Sequence, residues 1–240
     1  MIECQFLRYV LKNLDYSLFS CTFASPKTIP ILYFAMLASF SVENFRSIDS
    51  KMTLSMSAST GIKENVPGGV VKCGNTSLLT SMAIYGSNSS GKSNLLKAML
   101  VMGYIVWHSV RLNEDEELPY EPFALSFCES RPTYFEISFF DDKDLFTYKF
   151  LYDSKEIKHE VLAVKSPRKS LKTLFTRTGS EINLDPSIFP EGKVVLENGS
   201  LLNKNRLLLS LCGQLKGEYS NRVISWFNKG FLVVSGAEGS

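Results

Sequence analysis

Gly86-Ser87-Asn88-Ser89-Ser90-Gly91-Lys92-Ser93 sets two glycines at the spacing of the phosphate-cradling P-loop and follows the second with Lys and Ser. The chemistry needs these residue types. Glycines let the backbone curl so that successive N–H groups converge on phosphate oxygens, and a helix starting at Gly91 aims its positive end at the same point. Lys92 would reach the β- and γ-phosphates. The Ser93 hydroxyl would be one ligand of Mg²⁺, a cation that otherwise prefers phosphate oxygens and water. Nothing in the motif separates ATP from GTP. The competing reading is a glycine-serine turn that merely caps a helix, with Ser89 or Ser90 near the N-cap.

A phosphate loop needs a strand to deliver it and a helix to carry it away. Met82-Ala83-Ile84-Tyr85 is a short apolar run of buried-strand type. Behind the loop, Leu95, Leu96, Met99, Met102 and Val106 recur at spacings of three and four, which predicts one buried face of a helix of about four turns. Upstream, the alternation from Leu37 to Phe45 predicts a strand, and Met52 to Met56 repeats it as a pairing partner. The strand runs out into Glu43-Asn44-Phe45-Arg46-Ser47-Ile48. An arginine just past a strand end can make a two-pronged contact to phosphate, although by itself Arg46 reads as a solvated turn residue.

The stretch from Thr60 to Ser77 reads as loop, and so does the acidic run Glu114 to Glu117. After Pro119, Phe135 to Phe139 and Phe146 to Tyr152 alternate on either side of Asp141-Asp142-Lys143-Asp144, which predicts a hairpin. Strands are also predicted at Glu160 to Val164, Leu174 to Arg177 and Val194 to Glu197, so that residues from about 120 to 198 form an antiparallel meander. Helices follow at Asn203 to Leu211 and Glu218 to Phe227, then a short strand at Phe231 to Val234.

Composition narrows the classes. With 45% apolar and 21% charged residues, intrinsic disorder over most of the 240-residue chain is excluded. A formal net charge of +2 gives no electrostatic reason to expect nucleic acid or a membrane surface. Lys165, Arg168, Lys169, Lys172 and Arg177 form a basic stretch, read as a solvated loop, with a DNA contact as the sharper alternative. The scattered Cys4, Cys21, Cys73, Cys128 and Cys212 show no C-x-x-C pair, which argues for a reducing compartment. His108 and His159 lack a spaced ligand set and read as structural. The apolar run Ile29 to Phe40 is too short for a transmembrane span and holds Pro30. Lys27 before it and the small residues Ala35 and Ala38 toward its end sketch a leader peptide, which a nucleotide motif argues against.

Taken together, Phe40-Ser41-Val42-Glu43-Asn44-Phe45-Arg46-Ser47-Ile48 followed by Tyr85 to Ala98 resembles the AAA-type, ABC-class ATPases related to RecF and the SMC heads. The resemblance is nearest to the bacterial ATP-binding proteins grouped with the OLD family, some of which serve in phage defence. It covers about residues 36 to 235, and Tyr134 to Phe150 is similar to that group's antiparallel insertion.

The resemblance implies an α/β P-loop NTPase N-terminal lobe with a mixed sheet and an antiparallel β subdomain. It implies that Gly86 to Ser93, with Asn94, hold ATP and Mg²⁺, that Arg46 lies beside the nucleotide, and that the domain begins at Met36, leaving residues 1–35 as an extension. It further implies a cytoplasmic protein that works as a homodimer or with a partner ATPase lobe. Two departures matter. ABC-class hydrolysis needs a Walker B segment ending in Asp-Glu and a signature sequence, and neither occurs here. The nearest Walker B imitation, Ile137-Ser138-Phe139-Phe140-Asp141-Asp142, reads as a hairpin turn, and Phe231 to Ser235 lacks the acidic pair. The chain is therefore expected to be the first lobe of a longer ATPase, binding nucleotide with little turnover of its own. A non-hydrolysing interaction module is the alternative; a self-sufficient kinase would need an acceptor base that is not found.

Overall fold

A computed structural model of the chain describes residues 36–59, 69–86, 91–125, 131–198 and 201–230. The proposed extension at residues 1–35, the expected strand Phe231 to Val234, and Ser87 to Ser90 of the phosphate loop lie outside the described residues.

The alternating segments form a seven-stranded sheet. Its strands are β1 (Met36–Glu43), β2 (Met52–Ser55), β5 (Thr133–Asp141), β6 (Asp144–Tyr152), β7 (Ile157–Lys165), β8 (Lys172–Thr178) and β9 (Glu181–Leu184), in the order β2-β1-β5-β6-β7-β8-β9. Every one of these pairings is antiparallel. The expected meander is thus continuous with the first two strands, because β1 pairs along β5 from Met36↔Phe140 to Glu43↔Tyr134.

Period-two alternation gives the sheet one apolar and one polar face. Phe40, Val42, Phe135, Ile137, Phe139, Phe146, Tyr148 and Phe150 are fully buried on the first. Ser and Thr pair across strands on the second, Ser41 with Thr53 at 2.9 Å and Ser138 with Thr147 at 3.1 Å. The apolar face is covered by α1 (Lys92–His108), α3 (Leu208–Gln214) and α4 (Glu218–Gly230), whose Trp226 stacks on Phe139 with ring centroids 4.2 Å apart. Burying each such large side chain contributes roughly 1.5–3 kcal/mol. Leu95, Met99, Met102 and Val106 of α1 face this core as their spacing predicts, whereas Leu96 points outward and is 42% exposed.

Five further expectations are corrected. The Met82 to Tyr85 run forms no strand: Met82, Ile84 and Tyr85 are exposed, Tyr85 by 90%. A buried central strand needs a neighbour on each edge. Among the described residues no strand runs beside this segment, and the sheet is antiparallel rather than mixed. The Thr60 to Ser77 loop contains a hairpin, β3 (Val70–Cys73) and β4 (Thr76–Leu79), turned by Gly74 at φ 59. Val194 to Glu197 belongs to a helix, α2 (Pro190–Glu197), started by a proline at its first turn and not by a strand signal. Its Glu191 is buried and accepts hydrogen bonds from Tyr219 N and Ser220 N, capping α4.

Arg177 is the last correction. It is 2% exposed and not part of a solvated basic loop. Its guanidinium donates to Gly179 O at 2.8 Å and lies 3.8 Å from the fully buried Glu160. Glu160 in turn accepts from Tyr148 Oη at 2.9 Å and from Leu208 N and Leu209 N at 2.8 and 3.0 Å. Burial pushes the Glu160 carboxyl up, with Arg177, the two amides and Tyr148 opposing it. Among the described residues no helix is long and apolar enough to cross a membrane.

Candidate functional site

The site starts where β1 ends. Asn44 and Arg46 both take left-handed backbone conformations at φ 53, on either side of the fully buried Phe45. Such a conformation costs a non-glycine residue roughly 1–2 kcal/mol. Hydrogen bonds hold it in place: Asn44 N donates to Asp49 O at 3.1 Å, and Phe45 and Ile48 exchange amide bonds at 2.8 Å. The Asn44 side chain, 1% exposed, donates to Arg131 O and accepts from Phe123 N at 3.0 Å. Asparagine tolerates the left-handed region because its short amide can bond locally, so its type suits this exit from a strand.

The turn so fixed meets the start of α1. Gly91 precedes the helix at φ 87, and a Cβ built on it would lie 3.4 Å from Ser47 Oγ. Asn94 Nδ2 donates to Ser47 Oγ at 2.7 Å, joining residues 47 positions apart in the chain. Lys92 Nζ donates to Gly86 O at 2.7 Å, so the lysine folds back to the residue at which the motif begins. No acidic residue lies in the first turn of α1, which leaves the positive end of the helix uncompensated and suited to an anion. Ser93 is exposed in that turn.

Beside this turn runs a segment that the sequence did not mark. Arg46 N donates to Glu121 O at 2.8 Å, and Arg46 Nη1 lies 3.1 Å from Glu121 Oε2. The segment is tied further by Leu118 N to Ser154 O at 2.8 Å and by Tyr152 Oη to Pro119 O at 2.9 Å. Between it and the Arg46-Ser47 turn is a cavity of about 420 Å³, lined by these two residues and by 121–125.

Residues 81–199 match a family model described as "AAA domain, putative AbiEii toxin, Type IV TA system". No curated protein matches the chain. The match takes in the phosphate-loop motif, α1, strands β5 to β9 and α2, just under half of the chain. It supports an AAA-type, P-loop ATPase-like family and the ATP-binding character that goes with it. With the α/β layering of helices on a large antiparallel sheet, it fits a nucleotide-binding fold.

The other sequence candidates stand apart from this site. Asp141 and Asp142 close the β5–β6 hairpin, as the alternation predicted, and are not the end of a Walker B strand. Arg222 donates to Asp141 at 2.6 Å and to Asp144 at 2.8 Å. Burial would raise the Asp144 carboxyl, but bonds from Ser166 and Arg222 outweigh it and hold it below its usual range. His108 stacks on Tyr104, and His159 bonds Thr178. Among the described residues no group of three or more His, Cys, Asp or Glu is placed to hold a metal ion. The Ser93 hydroxyl, the oxygen that the first turn of α1 offers, therefore fits Mg²⁺ only as a companion of bound phosphate. Asn44, Ser47, Glu121 and Phe123 were missed as site residues; only Asn44, at the strand exit, carried a local signal.

Proposed function

We propose that the chain is the Mg-ATP-binding lobe of an ABC-class AAA ATPase, related to the RecF, SMC and OLD group. The observation that supports this best is the Asn94–Ser47 hydrogen bond, which brings the Arg46 turn against the start of the phosphate-loop helix. Gly86 to Ser93 would surround the phosphates, Lys92 exchanging Gly86 O for phosphate oxygens, and Arg46 would add a second positive charge. Mg²⁺, held through the phosphates and the Ser93 hydroxyl, would neutralise charge developing on them.

Hydrolysis would require a water-positioning carboxylate and a signature segment from another lobe or chain, so that ATP clamps two heads together and turnover releases them. The setting proposed is the cytoplasm, with a homodimer or a partner lobe. The description of the matched family, a toxin of a toxin–antitoxin system, favours phage defence as the process served.

The test is equilibrium binding of Mg-ATP combined with phosphate release. We expect a nucleotide-dependent rise in melting temperature that Lys92→Ala abolishes, with slow phosphate release by the chain alone. A rise unchanged in Lys92→Ala would remove the site assignment. Binding that no partner lobe ever converts to turnover would favour the non-hydrolysing module.

A further inference from the structure

α1 runs 17 residues from Lys92 to His108, and a second cavity opens at its far end, about 24 Å from the phosphate-loop end. This cavity has a volume of about 240 Å³ and lies between the end of α1, the 3-10 turn Ser109–Arg111 that follows it, the end of α3 and the last turns of α4. Drug-sized ligands occupy roughly 300–1,000 Å³, so an occupant here is smaller than those.

Its wall is mostly polar, and the donors in it divide into spent and unspent. Ser210 Oγ donates to Val106 O at 2.6 Å, and His108 Nδ1 donates to Tyr104 O at 3.0 Å. The side chains of Arg111, Gln214 and Asn228 are exposed and have no hydrogen-bond or ion-pair partner among the described residues. Trp107 lines the same cavity, and its indole Nε1 is buried with no hydrogen-bond partner among the described residues. A buried donor without a partner has lost its hydration for nothing, and an acceptor brought by a ligand would restore the missing bond.

Charge sets the class of ligand. No acidic residue is among those lining the cavity, and Arg111 is the one permanent cation among them. A guanidinium fork beside amide and indole N–H groups matches the two oxygens of a carboxylate. A doubly charged phosphate fits less well, because α1, α3 and α4 all end here and the negative ends of their dipoles oppose any charge beyond what one guanidinium balances. Val110 and Ile224 add apolar surface for a short carbon chain. We infer that this cavity binds a small monocarboxylate, held by Arg111 and the Trp107 N–H, with the Gln214 and Asn228 amides beside it. None of these residues belongs to the phosphate-loop motif, so the site stands whether or not that loop binds nucleotide.

The experiment titrates butyrate into the isotope-labelled full chain and follows the indole N–H signals by NMR, with phosphate and chloride at matched ionic strength as comparisons. The chain has two tryptophans, so two such signals appear, and either Trp107→Phe or Trp226→Phe assigns them. Butyrate should move the Trp107 signal saturably and leave in place that of Trp226, which is 3% exposed and stacked on Phe139. Phosphate should bind more weakly, and chloride should leave the signal unmoved. Arg111→Gln should weaken butyrate binding about tenfold or more, the scale of a charge-assisted hydrogen bond, and Gln214→Ala about threefold. Both side chains are exposed, so the variants spare the fold. A Trp107 signal that butyrate does not move, that chloride moves equally, or that titrates alike in wild type and Arg111→Gln would overturn the site. Tighter binding of phosphate than of butyrate would overturn the carboxylate assignment.

Discussion

Asn94 donates its side-chain amide to the hydroxyl of Ser47 at 2.7 Å, tying the first turn of the helix behind the phosphate loop to the turn that ends the first strand. Two segments that composition treats as unrelated are thereby held at one place. The bond is between short polar side chains near the surface, so its net worth to stability is of the order of 0.5–1.5 kcal/mol. Its value to a nucleotide site is positional.

Replacing Asn94 by Ala should lower Mg-ATP affinity by about three- to tenfold, through loss of the bond that sets Arg46 beside the helix, while the melting temperature without nucleotide changes little. Titration of ATP against the variant, with a melting curve in parallel, checks both halves. An affinity equal to wild type would mean that the two turns keep their places without the bond.

Glu121 gives the opposite sign. It holds the Arg46 guanidinium at 3.1 Å, and with side chains 24% and 48% exposed the pair is solvent-screened and weak. A phosphate must compete with that carboxylate for the same guanidinium. Glu121→Gln should therefore bind Mg-tripolyphosphate two- to fivefold more tightly, and the gain should shrink as salt is raised. A loss of affinity would show that the carboxylate orders the arginine and does not compete for it.

The hairpin at Asp141 to Asp144 predicts a pH effect. Arg222 holds the Asp144 carboxyl low against the upward pull of burial. A carboxyl whose folded pKa lies below its unfolded value of about 3.9 adds stability above that value and loses it as pH falls. Arg222→Met should cost about 1–2 kcal/mol at pH 7, and the difference from wild type should fade as pH falls below about 4. Urea unfolding at several pH values would show it; a difference constant with pH would assign the loss to the Arg222 guanidinium seated over the Phe146 ring instead.

What was legible in the sequence divides along physical lines. Period-two alternation is a local signal, and β1, β2, β5 and β6 appear where it ran, with the hairpin turn between Asp141 and Asp144. The helical face of α1 was equally local. Met82 to Tyr85 was read as a strand from apolar character alone, which says that a segment would gain from burial and not that neighbours exist to bury it. Val194 to Glu197 failed for a related reason, since two adjacent β-branched residues outweighed Pro190 and the helix it starts. Phe123 is invisible because it joins the Asn44-Arg46 turn through its backbone N–H, which every residue type but proline carries, and Glu121 because its carboxylate meets Arg46 only once the fold brings them together. Arg177 was misread as solvated since its sequence neighbours are basic; only the fold sets it beside Glu160.

That last pair predicts the largest stability effect. Glu160 is fully buried, receives Tyr148 and the first amides of α3, and faces Arg177 at 3.8 Å. Removing one charge strands the other in a medium that cannot solvate it, which costs about 3–5 kcal/mol where the pair is buried. Glu160→Gln should thus lower the melting temperature by roughly 10 °C, at about 2–4 °C per kcal/mol for a domain of this size. Pairing it with Arg177→Met removes the stranded cation, and the double variant should recover part of the loss even though it lacks more of the native hydrogen bonds. If the double variant were less stable than Glu160→Gln, the bonds from Arg177 to Gly179 O and the 203–206 carbonyls would outweigh the charge pairing. A scan of both variants by calorimetry decides between the two.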